Sequence, residues 1–230
     1  MGWPVLNLYG SASTRYLSSG LRVSFLTALM VAASLVLVLR PGVLQAETAV
    51  RSILEQRRHN VVLQQYDLSC GAAALATILN YQHGKNLDER QVAIGLISRD
   101  IYIANPAVLR IRQGFSLLDM KRYVEQLGYQ GEALGKIDFE YLSAHAPAIV
   151  PVSLYGFSHF VVFRGTLGMN VLVADPAFGN RTLSVERFID AWIDYGDFGK
   201  VAFSVARRDG LIPPNRLSVA EADFPMLMQE

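Results

Sequence analysis

The sequence predicts an α+β fold, an N-terminal helical half packed on a C-terminal antiparallel sheet. Between Cys70 and His145, apolar residues recur at helical spacing behind cap-like residues. After Pro147 the apolar runs are short, rich in Val and Phe, and punctuated by Gly and Pro, as strands are. Fewer than 200 residues follow the N-terminal apolar run, a length that suits one domain with its own core. Helices first and sheet second place a functional cleft between the two halves.

Residues 1–46 read as a signal peptide or N-terminal membrane anchor. Val23 to Leu39 is uncharged and mostly apolar, Arg15 and Arg22 precede it, and no acid occurs before Glu47. Ala46 is the best cleavage residue, although Leu44 is larger than the small residue usual two positions earlier. The reading implies an exported, periplasmic protein whose N-terminal segment contacts the membrane at least transiently. Residues 47–59 form a polar approach segment, 60–206 the domain, and 207–230 a surface tail containing Pro213-Pro214.

Within the domain, Val61 to Gln64 is a short apolar entry to a polar turn. From Gly71 to Tyr81, positions 74, 75, 78, 79 and 81 share a helical face, and the alanines allow close packing. A second helix spans about Leu87 to Ser98, with Asn86 as N-cap and Glu89 closing a capping box. The third starts behind Ser116 and stops at Gly128; Asp138 to His145 is a short fourth. Ala148–Leu154, His159–Thr166 and Asn170–Asp175 read as strands, Ser184–Asp194 as an amphipathic helix, and Val201–Ala206 as a closing strand.

Composition excludes several functions. The formal net charge is +1, and removal of residues 1–46 takes away only Arg15, Arg22 and Arg40 among charged residues. No basic patch suggests nucleic acid. The single cysteine excludes an intramolecular disulfide and a CxxC zinc site. His59, His83 and His145 are scattered on segments read as solvated or as helix ends. No metal or cofactor is implied.

That cysteine, Cys70, lies where the polar turn gives way to the small-residue helix. Unpaired N–H groups and the positive end of the helix dipole favour a thiolate there, the form that attacks. His159 opens an apolar run and Asp175 closes the next, completing the parts of a thiol hydrolase. A hairpin joining those two runs brings His159 and Asp175 to one face only around an odd-length loop. Pairing Gly165 with Met169 sets them directly opposite, and pairing Thr166 with Asn170 sets them diagonally. A two-residue loop sets them on opposite faces. Gln64 can aim its amide at a developing oxyanion beside the Cys70 N–H, and adjacent Gln65 competes for that role. Tyr155-Gly156-Phe157-Ser158 can line the cleft or form an ordinary turn.

Gln64…Cys70-Gly71-Ala72-Ala73, Ser158-His159-Phe160-Val161-Val162 and Val173-Ala174-Asp175-Pro176 together resemble the bacteriocin-processing, double-glycine leader peptidase family. The resemblance covers about residues 60–190. It implies a papain-like cysteine peptidase fold, with Cys70 as nucleophile, His159 as general base, Asp175 as orienting acid and Gln64 as oxyanion donor. Two features depart from transporter-fused members: Ser69 replaces their common acidic residue before the cysteine, and no Gly-x-x-x-x-Gly-Lys-[Ser/Thr] occurs. The export segment makes the chain similar to stand-alone exported members, some of which accompany secretion systems for bacterial functional amyloid. The implied partners are an exported peptide or protein substrate and secretion or amyloid-export components.

Two rival readings differ in chemistry. The first is a peptidase that hydrolyses an acyl-enzyme. The second is a non-catalytic, peptidase-like module that holds an exported polypeptide, with Cys70 a small buried hydrophobe. Acyl transfer to an amine is a further variant of the first.

Overall fold

In the computed structural model, residues 52–98, 103–105, 107–111, 114–154 and 156–223 are described. The export segment expected over residues 1–46 lies outside them. Among the described residues no helix is long and apolar enough to cross a membrane.

Helix α1 (Ile53–Arg58) lies within the stretch read as a polar approach. Ser52 and Glu55 form its capping box, and none of its residues is buried. What fixes it is distant: the Asn180 amide donates to the carbonyls of Gln56 and His59 at 2.9 and 2.6 Å. Helix α2 (Cys70–Thr77) is buried along its whole length and runs into a π-helical turn, Ile78–Gln82. Its alanines let surrounding elements approach from every side, as a central helix requires.

Helix α3 (Glu89–Ile97) corrects the expected cap. Its N-cap is Asp88, with Gln91 completing the box, instead of Asn86 with Glu89. The reason lies one residue before Asp88: the Asn80 side chain bonds both the N–H and the C=O of Leu87, holding that residue outside the helix. Glu89 is thereby released for another task. Helix α4 (Ala107–Ile111) was not anticipated. Helix α5 (Leu117–Gln126) has the predicted Ser116–Asp119 capping box.

Strand β1 (Tyr129–Leu134) follows, then helix α6 (Phe139–Ala144) with Asp138 as N-cap. Strands β2 (Ala148–Leu154), β3 (Phe157–Leu167) and β4 (Asn170–Asp175) form a meander close to prediction. Strand β5 (Gly179–Ser184), helix α7 (Val185–Ala191) and strand β6 (Ala202–Arg207) complete the sheet, whose order is β1-β6-β2-β3-β4-β5 with antiparallel pairing throughout. The strands not read from sequence, β1 and β5, are the two edges. They need only one partner and are poor in the β-branched residues that mark a strand: β1 has none and β5 only Thr182.

Both faces of the sheet are covered. Ile149, Val162, Ala174 and Phe203 pack with Leu75, Leu79, Leu96 and Met120 of the helical half. Val150, Val161, Phe163 and Val173 pack with Leu142 of α6 and with Phe188 and Trp192 at α7. Two-sided burial explains the nearly continuous apolar runs of the central strands.

The reading of residues 207–230 as a surface tail is corrected over its described part. Asn215 and Arg216 donate backbone N–H groups to Gln82 and Tyr81 at 3.0 and 2.7 Å. Leu217 is fully buried in the helix-side core. His83, read as solvated or at a helix end, does end the π-helical turn but is buried against Val205 and Tyr129.

Candidate active site

The site is assembled at one end of the sheet, where β3 begins and β4 ends. The β3–β4 hairpin has a two-residue turn, Gly168-Met169, because Leu167 pairs with Asn170. By parity alone this would place His159 and Asp175 on opposite faces. A β-bulge restores them: Gly165 pairs with Leu172 but Phe163 pairs with Val173, so Arg164 is an extra residue in β3. Beyond it Val162 faces Ala174, the register of the diagonal arrangement. His159 Nε2 consequently lies 3.2 Å from Asp175 Oδ2.

Arg164 is itself buried. Its guanidinium donates to the Leu217 carbonyl and to Asn180 Oδ1, each at 3.1 Å, and lies 3.5 Å from the Asp223 carboxylate. The bulge is thus pinned from outside the hairpin. No sequence signal pointed to Arg164, since a strand pattern does not reveal which residue is extra.

Asp175 is fully buried and well supplied with partners. Oδ1 accepts the backbone N–H groups of Ala177 and Phe178 at 2.8 and 3.3 Å, and Arg181 lies 3.6 Å from Oδ2. Asp175 therefore does more than end a strand: it closes the β4–β5 turn and holds the imidazole. With Nε2–H donating to the carboxylate, Nδ1 is the nitrogen left to accept a proton.

Cys70 is the first residue of α2, as the sequence suggested. Its environment differs from that expectation. Burial pushes the thiol pKa up, and the charge of Asp175 adds to this; backbone N–H groups of Phe160, Gly71 and Cys70 itself act in the opposite direction. The helix-start geometry is present, but desolvation dominates it.

Cys70 and His159 line one cleft of about 810 Å³. Ser158 and Phe160 flank His159 there, so the Tyr155–Ser158 stretch does reach the cleft through Ser158. Phe115, Leu117, Ile193, Tyr195 and Phe198 supply apolar walls that the sequence reading did not single out. Gln64 is partly buried, and its N–H donates to the Pro176 carbonyl at 2.8 Å, directly beside Asp175. Gln65 is exposed, with its N–H turned to Glu89. The backbone thus sets Gln64 on the His159–Asp175 side. Among the described residues no cluster of His, Cys, Asp and Glu could hold a metal.

Residues 58–196 match the family described as the peptidase C39 family. The chain belongs to that family. It is 43% identical over 145 residues to a protein of Pseudomonas aeruginosa named "Probable functional amyloid protease FapD", covering 62% of this chain and 61% of that one. A Pseudomonas fluorescens protein of the same name is 39% identical over 143 residues, with the same coverage of each chain. The chain thus spans less than two thirds of the length of these relatives. Among solved structures, the fold matches a double glycine motif protease from an AMS/PCAT transporter in complex with the leader peptide. That match has a TM-score of 0.51 and 23% identity, covering 64% of this chain and 90% of that one. The peptidase domain of Streptococcus ComA, a bifunctional ABC transporter, gives a TM-score of 0.51 at 22% identity, covering 65% of this chain and all of that one. These likenesses establish the papain-like α+β fold.

Proposed function

We propose that this C39 chain is an exported cysteine peptidase that cuts a polypeptide in the secretion of functional amyloid. The observation that carries the reading is the joint placement of Cys70 and His159 in one cleft, with His159 held by the buried Asp175. The names of the FapD relatives support the amyloid context.

The geometry supports one reaction course. His159 Nδ1 takes the Cys70 proton, and the thiolate attacks the scissile carbonyl carbon. The Cys70 N–H and the Gln64 amide stabilise the oxyanion. The imidazolium returns the proton to the leaving amine as the C–N bond breaks and a thioester forms. Water, deprotonated by the same imidazole, then hydrolyses the thioester and releases the thiol. Asp175 keeps Nε2 protonated throughout, so Nδ1 is free for each transfer.

The test is replacement of Cys70 by Ala and by Ser in the native secretion system. Both variants should accumulate and leave the co-encoded polypeptide uncut. Normal processing with either variant would refute the peptidase reading and favour the holding module.

A further inference from the structure

We propose that Glu89 is a positioning residue for the reaction. Its buried carboxylate fixes the turn that sets the Cys70 N–H and Gln64 against the substrate carbonyl. The inference rests on the peptidase reading above.

Five residues separate Gln64 from Cys70, and Glu89 bonds three of them. Oε2 accepts the Gln65 N–H at 2.8 Å. Oε1 accepts the Tyr66 N–H at 3.4 Å and also meets the Ser69 hydroxyl. Glu89 is only 3% exposed, so its carboxylate has left water to make these bonds. It is the first residue of α3, where the helix dipole favours a negative charge. Its own helix does not use it, because Asp88 and Gln91 already form the capping box.

The turn needs such a clamp. Leu68 has φ +63°, in the left-handed region that is strained for a non-glycine residue. Strain of this kind persists only where the surroundings overdetermine the backbone. Gly114 backs the turn closely: a Cβ there would sit 3.1 Å from the Leu68 carbonyl oxygen. One end of the turn is tied beside Asp175 through Gln64 and Pro176. The other end is the nucleophile. Glu89 grips the middle, so the separation of the two oxyanion donors depends on it.

Glu89→Gln keeps the shape and breaks the bonding. One carboxylate oxygen becomes an NH₂ group, which must face either the Gln65 N–H or the Tyr66 N–H and Ser69 hydroxyl. Part of the turn then moves.

Two small probes separate positioning from plain stability, and both react with the chain's only cysteine. p-Nitrophenyl acetate acetylates Cys70 by carbonyl attack, forming a thioester and releasing p-nitrophenolate, so its rate depends on oxyanion donors. Iodoacetamide alkylates Cys70 by displacing iodide and needs none. Cys70→Ala supplies the blank for both. Glu89→Gln should lower the acetylation rate about tenfold or more, because a lost oxyanion donor costs roughly 10²–10³. Its alkylation rate should stay within about threefold, taking that as the size of a modest change in thiol access. Ser69→Ala removes one bond of the three and should show a smaller loss in the same direction, which keeps the inference testable if Glu89→Gln does not fold. Parallel falls in both rates, or no selective fall in acetylation, would overturn it. Failure of the peptidase reading shows separately, as normal processing by Cys70→Ala.

Discussion

The hairpin carrying His159 and Asp175 and the turn carrying Gln64 and Cys70 are positioned by different physics. In the hairpin, pairing parity decides which side chains meet, and one extra residue, Arg164, sets the parity. In the turn there is no ladder, so the bonds that the Glu89 carboxylate accepts from two backbone N–H groups and the Ser69 hydroxyl decide. A ladder is fixed collectively, and its correction is locked by Arg164 together with Asn180, Leu217 and Asp223. A turn is fixed by a few bonds. Damage to the hairpin device should therefore cost stability and activity together, whereas damage to the turn should cost chemistry first.

The largest effect tests the hairpin's product, the His159–Asp175 contact. Asp175→Asn would still let Oδ1 accept the Ala177 and Phe178 N–H groups, so the fold should survive. Its NH₂ group would face Nε2 and favour the tautomer protonated at Nδ1, which cannot take the thiol proton. Cleavage of the secreted polypeptide should fall on the order of 10⁴-fold. A fall under about tenfold would mean that orientation of His159 comes from elsewhere.

Next in size is Arg164→Met, which keeps much of the volume and removes the buried charge. The Leu217 carbonyl and Asn180 Oδ1 would lose their donor, and Asp223 its cation. Unfolding by urea should reveal a loss of about 3 kcal/mol. Activity should fall by more than the unfolded fraction explains, because the bulge is no longer pinned. Loss of stability with full specific activity in the folded fraction would show that the backbone alone holds the bulge.

These contrasts match what the sequence made legible. Cys70, His159 and Asp175 were readable because each sits at or near an element boundary marked by periodicity: a helix start, the third residue of a strand and a strand end. The central strands were readable from their apolar runs, and edge strands β1 and β5 were not. The turn length was the instructive failure. Thr166 to Asn170 permitted an odd loop, but the structure uses an even turn and moves the correction to Arg164. Hydrophobic patterning cannot reveal a bulge, since one inserted residue merely looks like a phase slip in a run already apolar on both faces. Glu89 was misread for a similar reason. Its spacing from Asn86 fits a capping box, and nothing local signals that Asn80 keeps Leu87 out of the helix.

The smallest expected effect concerns the state of the thiol in the free protein, and it returns to the turn. Burial raises the Cys70 pKa above its ordinary value despite the N–H groups aimed at the sulfur. Iodoacetamide alkylation should therefore rise with a midpoint above the free-thiol value of about 8.5. The linkage has a definite sign. The folded state holds this proton more tightly than the unfolded state, so the contribution to stability is complete below the unfolded pKa. It disappears as pH rises through the folded pKa. Cys70→Ala should flatten that alkaline loss in urea titrations at successive pH values. A midpoint well below 8.5 would instead mean a thiolate formed in advance, with the helix N–H groups outweighing burial. In the proposed reaction, such a thiol would pass its proton to His159 only once a substrate carbonyl is in place.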